Sequence, residues 1–217
     1  MQRLAMLLLL LVLLSAGAAT AQSSPYVNRA QALKGLGSQD AVQRATALAW
    51  IALHGRSSDD KVLRQRLGDE SPLVRGAAEQ GLWVLWSRSG DQAVDALMAR
   101  GVEEMQAGQL RESIATFTEV IRRKPAFAEG WNKRATVLFL AGEFRKSLAD
   151  CDQVMKRNPY HFGALAGYGQ IYFQQEQYDK AIRYFKRALQ VNPNMVTLEI
   201  NIKAAERMMA ESSRQST

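Results

Sequence analysis

Between residues 94 and 195 the large apolar side chains return every three or four positions, the spacing of one face of an α-helix. A longer beat overlies that spacing. Leu97, Gly101, Gly108, Leu110, Ser113, Phe117, Val120 and Pro125 are answered 34 residues later by Trp131, Ala135, Gly142, Phe144, Ser147, Cys151, Val154 and Pro159. A third set, Leu165, Gly169, Tyr178, Ala181, Phe185, Ala188 and Pro193, keeps the same intervals. Each segment therefore reads as two amphipathic helices joined by a tight turn and closed by a proline. A helix pair of this size cannot bury its apolar face alone, so successive pairs stack. No alternating strand pattern appears, and the chain is expected to be all-α.

The pattern resembles the tetratricopeptide repeat: a large apolar residue, small residues at two fixed places, an aromatic, and a helix-ending proline. The third segment carries it most fully, with Leu165, Tyr168, Gly169, Tyr172, Tyr178, Ala181, Phe185, Ala188 and Pro193. In the first, Glu104 stands where an aromatic is usual. The resemblance covers 91–195 and implies a continuous right-handed superhelical solenoid of αα-hairpins, whose concave face is lined by the first helix of each pair. Residues 196–210, with Val196, Leu198, Ile200, Ile202, Ala205, Met208 and Met209, look like the extra helix that caps such arrays. The Ser- and Gln-rich end up to Thr217 reads as disordered.

Upstream lies a second period, of 31 residues. Leu36-Gly37 returns as Leu67-Gly68, Ser38 as Asp69, Val42 as Leu73, Arg44 as Arg75 and Ala47 as Ala78. The copy Asp69-Glu-Ser-Pro72-Leu-Val-Arg75 resembles a short HEAT-like repeat, in which an acid and a proline open the second helix and the arginine reaches back along the stack. The first copy lacks the proline. Two such repeats over 22–90 fall short of about three needed to stand alone. Only Ser89-Gly90 separates them from the next helix, so the two series are expected to form one stack, with the apolar face of the first half lying against 91–107.

At the N-terminus, Arg3, the apolar run Leu4–Leu14 and Ala19-Thr20-Ala21 form a secretory signal pattern over 1–21, with cleavage expected after Ala21. Eleven residues are short of the roughly 20 that cross a bilayer as a helix. The same run extended through the alanines would serve as an uncleaved anchor instead. Residues 22–217 are thus expected to be exported, periplasmic or secreted.

The formal net charge is +7. Its cations gather at the ends of the second helices: Arg122, Arg123 and Lys124, then Lys156 and Arg157, then Lys186 and Arg187. Helix dipoles favour cations there by about 0.3–1 kcal/mol each. The second reading is a basic ridge that docks an acidic partner or an anionic envelope surface. Nucleic acid is not expected, because no aromatic residues are interleaved with these clusters.

Chemistry-bearing residues are scarce. Cys151 is the one cysteine and takes the place of Phe117 and Phe185, which marks it as core. His54 precedes a helix-capping glycine and His161 follows a turn; neither has metal-ligand spacing around it. No phosphate loop, nucleophile elbow or paired-carboxylate cleft is visible. The expectation is no enzyme, no cofactor and no metal; a HEAT-like bilin lyase is a remote alternative without an acid/base pair.

Function is expected on the concave face. The resemblance assigns to it Met98, Val102 and Met105 from the first repeat, Asn132, Lys133, Thr136 and Phe139 from the second, and Gln170, Phe173 and Gln174 from the third. Chaperone-binding members of the family grip a carboxylate with paired Lys, Asn and Arg; Met98, Val102, Gly163 and Gly167 occupy such places here, so that clamp is absent. An aromatic and methionine-bearing groove suits an apolar or amphipathic protein segment. The chain is read as a scaffold or adaptor for a protein or peptide partner. The alternative is an envelope spacer acting through the basic ridge.

Overall fold

The computed structural model describes residues 25–215, so the expected signal segment at 1–21 lies outside the described residues. Eleven α-helices run through it in order: α1 Arg29–Gly35, α2 Ala41–His54, α3 Asp60–Gln65, α4 Pro72–Ser87, α5 Gln92–Gln106, α6 Leu110–Arg123, α7 Ala128–Leu140, α8 Phe144–Arg157, α9 Phe162–Gln174, α10 Tyr178–Val191 and α11 Val196–Gln215. Short 3-10 turns, Ser57–Asp59 and Arg66–Gly68, flank α3. There is no strand among the described residues, and the fold is an all-α solenoid. The polar C-terminal end, expected to be disordered, instead continues α11 as far as Gln215.

Local chemistry sets the helix ends. Asn28, Asp40 and Asp91 each accept first-turn amide N–H groups at the starts of α1, α2 and α5, satisfying donors that have no partner within the helix. Pro72 opens α4, where its missing N–H costs nothing. Within the pairs α5–α6 and α7–α8 the turn passes through Gly108 (φ 76°) and Gly142 (φ 75°). In the third pair the same place is held by Glu176 at φ 59°, a left-handed conformation that costs a residue with a Cβ about 1–2 kcal/mol.

Inside each pair, small and large residues are matched across the helix crossing. A Cβ built on Gly101 would lie 2.7 Å from the Phe117 ring, and one on Gly169 would lie 2.3 Å from the Phe185 ring. Both phenyl rings are buried, so each glycine is the space its phenyl occupies. The middle pair uses the opposite solution: Ala135 faces the smaller Cys151, and both are buried. The crossing is pinned by hydroxyls, Ser113 to the Gly101 carbonyl and Ser147 to the Ala135 carbonyl, each at 2.7 Å. Trp131, expected between helices, is only half-buried; its indole N–H donates to the Pro125 carbonyl and its face meets Arg134 and Arg157.

The 31-residue equivalence upstream also has a structural counterpart. Arg44 donates to the carbonyls of Ser38 and Gln39, and Arg75 to those of Asp69 and Glu70. Each guanidinium then reaches forward rather than back. Arg44 forms a two-pronged pair with Asp69 of the next unit, at 3.1 and 2.7 Å. Arg75 reaches Asn194 at 2.9 Å, and Asn194 returns a bond to the Leu67 carbonyl.

That last contact corrects the expected stack. The helix following α4 in sequence does not supply its next layer: α4 packs across α7, two helices beyond α5. Its indoles Trp83 and Trp86 press on His161 and Phe162, with ring centroids 4.7–5.7 Å apart. Gly163 makes room, since a Cβ there would lie 2.5 Å from Trp83. Phe162 belongs to the buried cluster of the N-terminal helices, against which Val191 and Met195 also pack. The N-terminal unit thus lies along the edge formed by the inter-repeat turns, and Lys124 ties the first of those turns to the Ser89 carbonyl.

Two outcomes follow from this packing. Phe185→Ala should cost about 3–5 kcal/mol in urea unfolding, whereas Trp131→Ala should cost less than half of that; equal losses would refute the assignment of core and edge. Asp59 and Asp69 are held below the usual carboxylate range, first by hydrogen bonds from Arg29 and Arg44 respectively. A depressed folded pKa gives stability that is present above the unfolded pKa and lost as pH falls, so the urea midpoint should drop below about pH 4. An Arg44→Met variant should show a flatter acid slope than the parent.

Candidate functional site: the concave face

The first helices α7 and α9, with α11 beyond them, line the concave face of the later repeats. Two hollows open there. One, of about 110 Å³, is bounded by Asn132, Thr136, Phe139, Cys151, Gly167 and Gln170. The other, of about 340 Å³, continues along the groove between Phe139, Gln170, Phe173, Gln174 and Asn201. Phe139 and Gln170 wall both, so the two are one run of surface. Phe139 rests against Phe144 at 5.8 Å and Phe173 stands edge-on to Tyr178 at 5.5 Å. Both rings are half-buried and keep a face toward the groove hollows.

The first hollow has an identifiable origin. Its floor includes Ala135 and Cys151, the pair that replaces the glycine and phenyl of the flanking repeats. A thiol in place of a phenyl leaves space, and Ala135 keeps the helices from closing over it. The thiol itself is no nucleophile: burial, then the neighbouring Asp150 and Asp152, push it up to about 12.

Sequence placed ten residues on this face, and the structure divides them. Asn132, Thr136, Phe139, Gln170, Phe173 and Gln174 come together around the hollows. Met98, Val102 and Met105 do not: they pack into the cluster between α5 and α6 with Phe117 and Val94, and Met98 is buried. Lys133 and Asn132, expected as groove polarity, are engaged inward on Glu129. The Asn132 amide donates to one Glu129 oxygen at 3.1 Å, and the Lys133 ammonium lies 3.3 Å from the other.

Glu129 is the feature that the sequence reading missed. Its carboxylate is fully buried at the start of α7, and His161 Nε2 lies 3.0 Å from it. His161 Nδ1 accepts the Ala164 amide N–H, which caps α9. With Nδ1 accepting, Nε2 carries the proton and donates to the carboxylate. Burial raises the Glu129 pKa, but His161, Lys133 and Asn132 together outweigh it and hold the group ionised, below its ordinary value. Trp86 stacks on His161 at 4.7 Å and 25°, so this centre joins the groove to the N-terminal unit. One signal was available: His161 falls in the 34-residue frame at the place of Phe127 and Met195, both packed against core.

The basic ridge is less uniform than the sequence suggests. Arg122 and Arg123 share Glu119, at 2.7 Å each, and Glu119 is lowered to about 2, first by the Arg122 bond. Lys124 is tied to Ser89, and Arg157 donates to the Pro125 carbonyl at 2.6 Å. Arg187 lies 5.1 Å over the Tyr184 ring. Lys156 and Lys186 remain exposed beside them. Among the described residues there is no group of three or more His, Cys, Asp or Glu placed to hold a metal ion, and no helix is long and apolar enough to cross a membrane.

Two tetratricopeptide-repeat models match the chain, at residues 98–154 and 165–195. The chain carries tetratricopeptide repeats. A TPR repeat-containing protein of Rhizobium etli is 28% identical over 134 residues, 62% of this chain and 66% of that protein. The chain therefore spans slightly under two thirds of that relative's length. Solved tetratricopeptide structures share the fold. The first TPR domain of human RPAP3 is 19% identical with a TM-score of 0.54, covering 56% of this chain and 95% of that one. The TPR2B domain of yeast Sti1, in complex with pHsp70, is 20% identical with a TM-score of 0.51, covering 54% and 98%. MamA is 16% identical with a TM-score of 0.51, covering 70% and 84%.

The buried centre makes a double-variant prediction. His161→Phe removes both a cap and the carboxylate's partner, and should cost about 3–5 kcal/mol. Adding Glu129→Met should return at least half of that loss, because no carboxylate is then left unpaired. Additive losses in chemical unfolding would show that the two residues do not act as a pair.

Proposed function

We propose that this protein is an exported interaction module that holds a segment of a partner protein in the groove between α7, α9 and α11. One observation carries the reading: the contiguous hollows on the concave face, opened where Ala135 and Cys151 replace a glycine and a phenyl. A hollow with Phe139 and Ile171 in its wall and Thr136 and Gln170 at its rim suits an apolar anchor side chain with backbone or polar groups beside it. Tetratricopeptide domains are protein–protein interaction modules, and two similarly folded domains have been solved with bound peptides or partners: Spaghetti (RPAP3) with an HSP90 peptide and Sti1 with pHsp70. The absence of a basic clamp directs the choice here toward apolar anchors rather than a terminal carboxylate, because Lys133 is already neutralised by Glu129. Export rests on the sequence of 1–21, and protein recovered from its native cell should begin at or near Gln22.

The groove is tested by closing it. Ala135→Gly with Cys151→Phe copies the flanking repeats and should fill the hollow while preserving the melting temperature within a few degrees. Proteins retained from an envelope extract by the parent chain, identified by mass spectrometry, should be lost or reduced at least about 30-fold with this variant and with Phe139→Ala. A Lys156→Gln, Lys186→Gln, Arg187→Gln variant should keep them and alter only the salt dependence of association. The reverse pattern would transfer the working surface to the basic ridge and favour the envelope spacer.

A further inference from the structure

Away from the groove, the seam between the N-terminal unit and the repeats holds a second concavity of about 470 Å³. Arg64, Trp86 and Arg88 approach it from α3, α4 and the residue that ends α4; Phe127, Arg157 and Tyr160 come from α8 and the turns before α7 and α9. Three guanidinium groups thus face one lining carboxylate, Asp60, which is already paired with Arg64 at 3.1 Å. Their existing bonds use only part of their donor capacity. Arg64 commits its Nε to Asp60, Arg88 one Nη to the Ala52 carbonyl, and Arg157 its Nε to Pro125 and one Nη to both the carbonyl and the side-chain oxygen of Gln153. A guanidinium carries five N–H donors, so Arg64 and Arg88 retain most of theirs and Arg157 its second Nη. The Arg64 guanidinium carbon also sits 3.7 Å over the centre of the Tyr160 ring, which restrains its fork before any ligand arrives.

Excess positive charge, fixed donors and three aromatic walls select one ligand chemistry. We propose that the seam binds a small aromatic anion, a carboxylate or phosphate borne on a flat ring. The anion sits on the Arg64 and Arg88 forks and the ring lies among Trp86, Phe127 and Tyr160. The volume falls within the 300–1,000 Å³ typical of small-molecule sites. Opposite walls belong to two packed units, so the ligand bridges them and stabilises their docking by mass action. The site does not depend on the groove binding anything.

Phenyl phosphate is the probe, titrated into the full chain and followed by calorimetry and by the tryptophan side-chain N–H resonances. Saturable binding below about 10 mM is expected, with inorganic phosphate at least about ten-fold weaker and the melting temperature rising with probe concentration. The Arg64→Gln, Arg88→Gln variant should lose at least about ten-fold in affinity, and Arg88→Gln alone should lose several-fold while lowering the ligand-free melting temperature by no more than a few degrees, the cost of its one bond to the Ala52 carbonyl. Lys156→Gln with Lys186→Gln removes the same charge elsewhere and should bind as the parent does. No saturation, equal binding of inorganic phosphate, parental affinity in both arginine variants, or an equal loss in the lysine control would each overturn the proposal.

Discussion

The distance between the two helices of each repeat is set by a side chain meeting a position that has none. Phe117 over Gly101 and Phe185 over Gly169 leave no room for a Cβ, and rigid, close-packed interiors transmit such a constraint to everything stacked above. Every later feature inherits it: the tilt of the first helices, the width of the concave face, and the line of turns along its edge. The middle repeat solves the same crossing with Ala135 and Cys151. Its helices are joined by the Ser147 hydroxyl bond to the Ala135 carbonyl, the counterpart of the Ser113 bond in the first repeat. What differs is volume, and the missing volume faces the groove. A change that would be a packing defect in a closed core becomes a recess where the neighbouring surface is already concave.

The second organising contact ties the repeats to the N-terminal unit. Glu129 and His161 place a charged carboxylate in full burial, which is tolerable only because His161 and Asn132 donate to one of its oxygens and the Lys133 ammonium lies 3.3 Å from the other. The same His161 caps α9 and lies under Trp86. One imidazole therefore connects the first helix of the second repeat, the first helix of the third and the N-terminal unit. Burying Trp83 against Gly163 excludes water from this centre, which strengthens its hydrogen bonds and raises the cost of separating the units. Docking of the N-terminal helices and the geometry of the groove are thus coupled through Asn132, which binds Glu129 and lines the first hollow.

Much of this was legible from periodicity. The 34- and 31-residue beats specify helix pairs because core positions repeat where packing repeats, and the buried residues Phe117, Val120, Ala135, Cys151, Val154, Ala181 and Phe185 fall where the pattern put them. The groove residues of the second and third repeats were legible for the same reason. Met98, Val102 and Met105 were not, since one helix face carries both core and groove positions and spacing alone does not divide them. The corner after α4 was also hidden. Hydrophobic pattern shows that a face must be covered, but the covering residues, Phe162 and Met195, lie more than seventy positions away. Nothing local marks them as partners of Trp83 or Leu67. Glu129 escaped because a buried carboxylate in the first turn of a helix has the same sequence appearance as a solvated one that complements the helix dipole.

Charge gives the last constraint on how the molecule meets a partner. A net +7 spread evenly would draw any anion to any face. Here it is not spread evenly in effect. One of the two charges of Arg122 and Arg123 is offset by Glu119, Arg44 by Asp69, Arg29 by Asp59, Arg134 by Asp150 and Lys133 by Glu129. Of these, the pairs on Glu119 are the exposed ones and contribute little stability, yet every pair removes a monopole from the surface field. Positive charge without a matching carboxylate remains at the seam, where Arg64, Arg88 and Arg157 outnumber Asp60, and at the ends of α6, α8 and α10. The concave hollows retain no unpaired charge from Lys133. The two concavities therefore differ in kind: one is near neutral and apolar at its floor, the other cationic and aromatic. A single partner class would not satisfy both, because an apolar anchor gains nothing from the guanidinium forks and an anion would be desolvated without compensation in the groove.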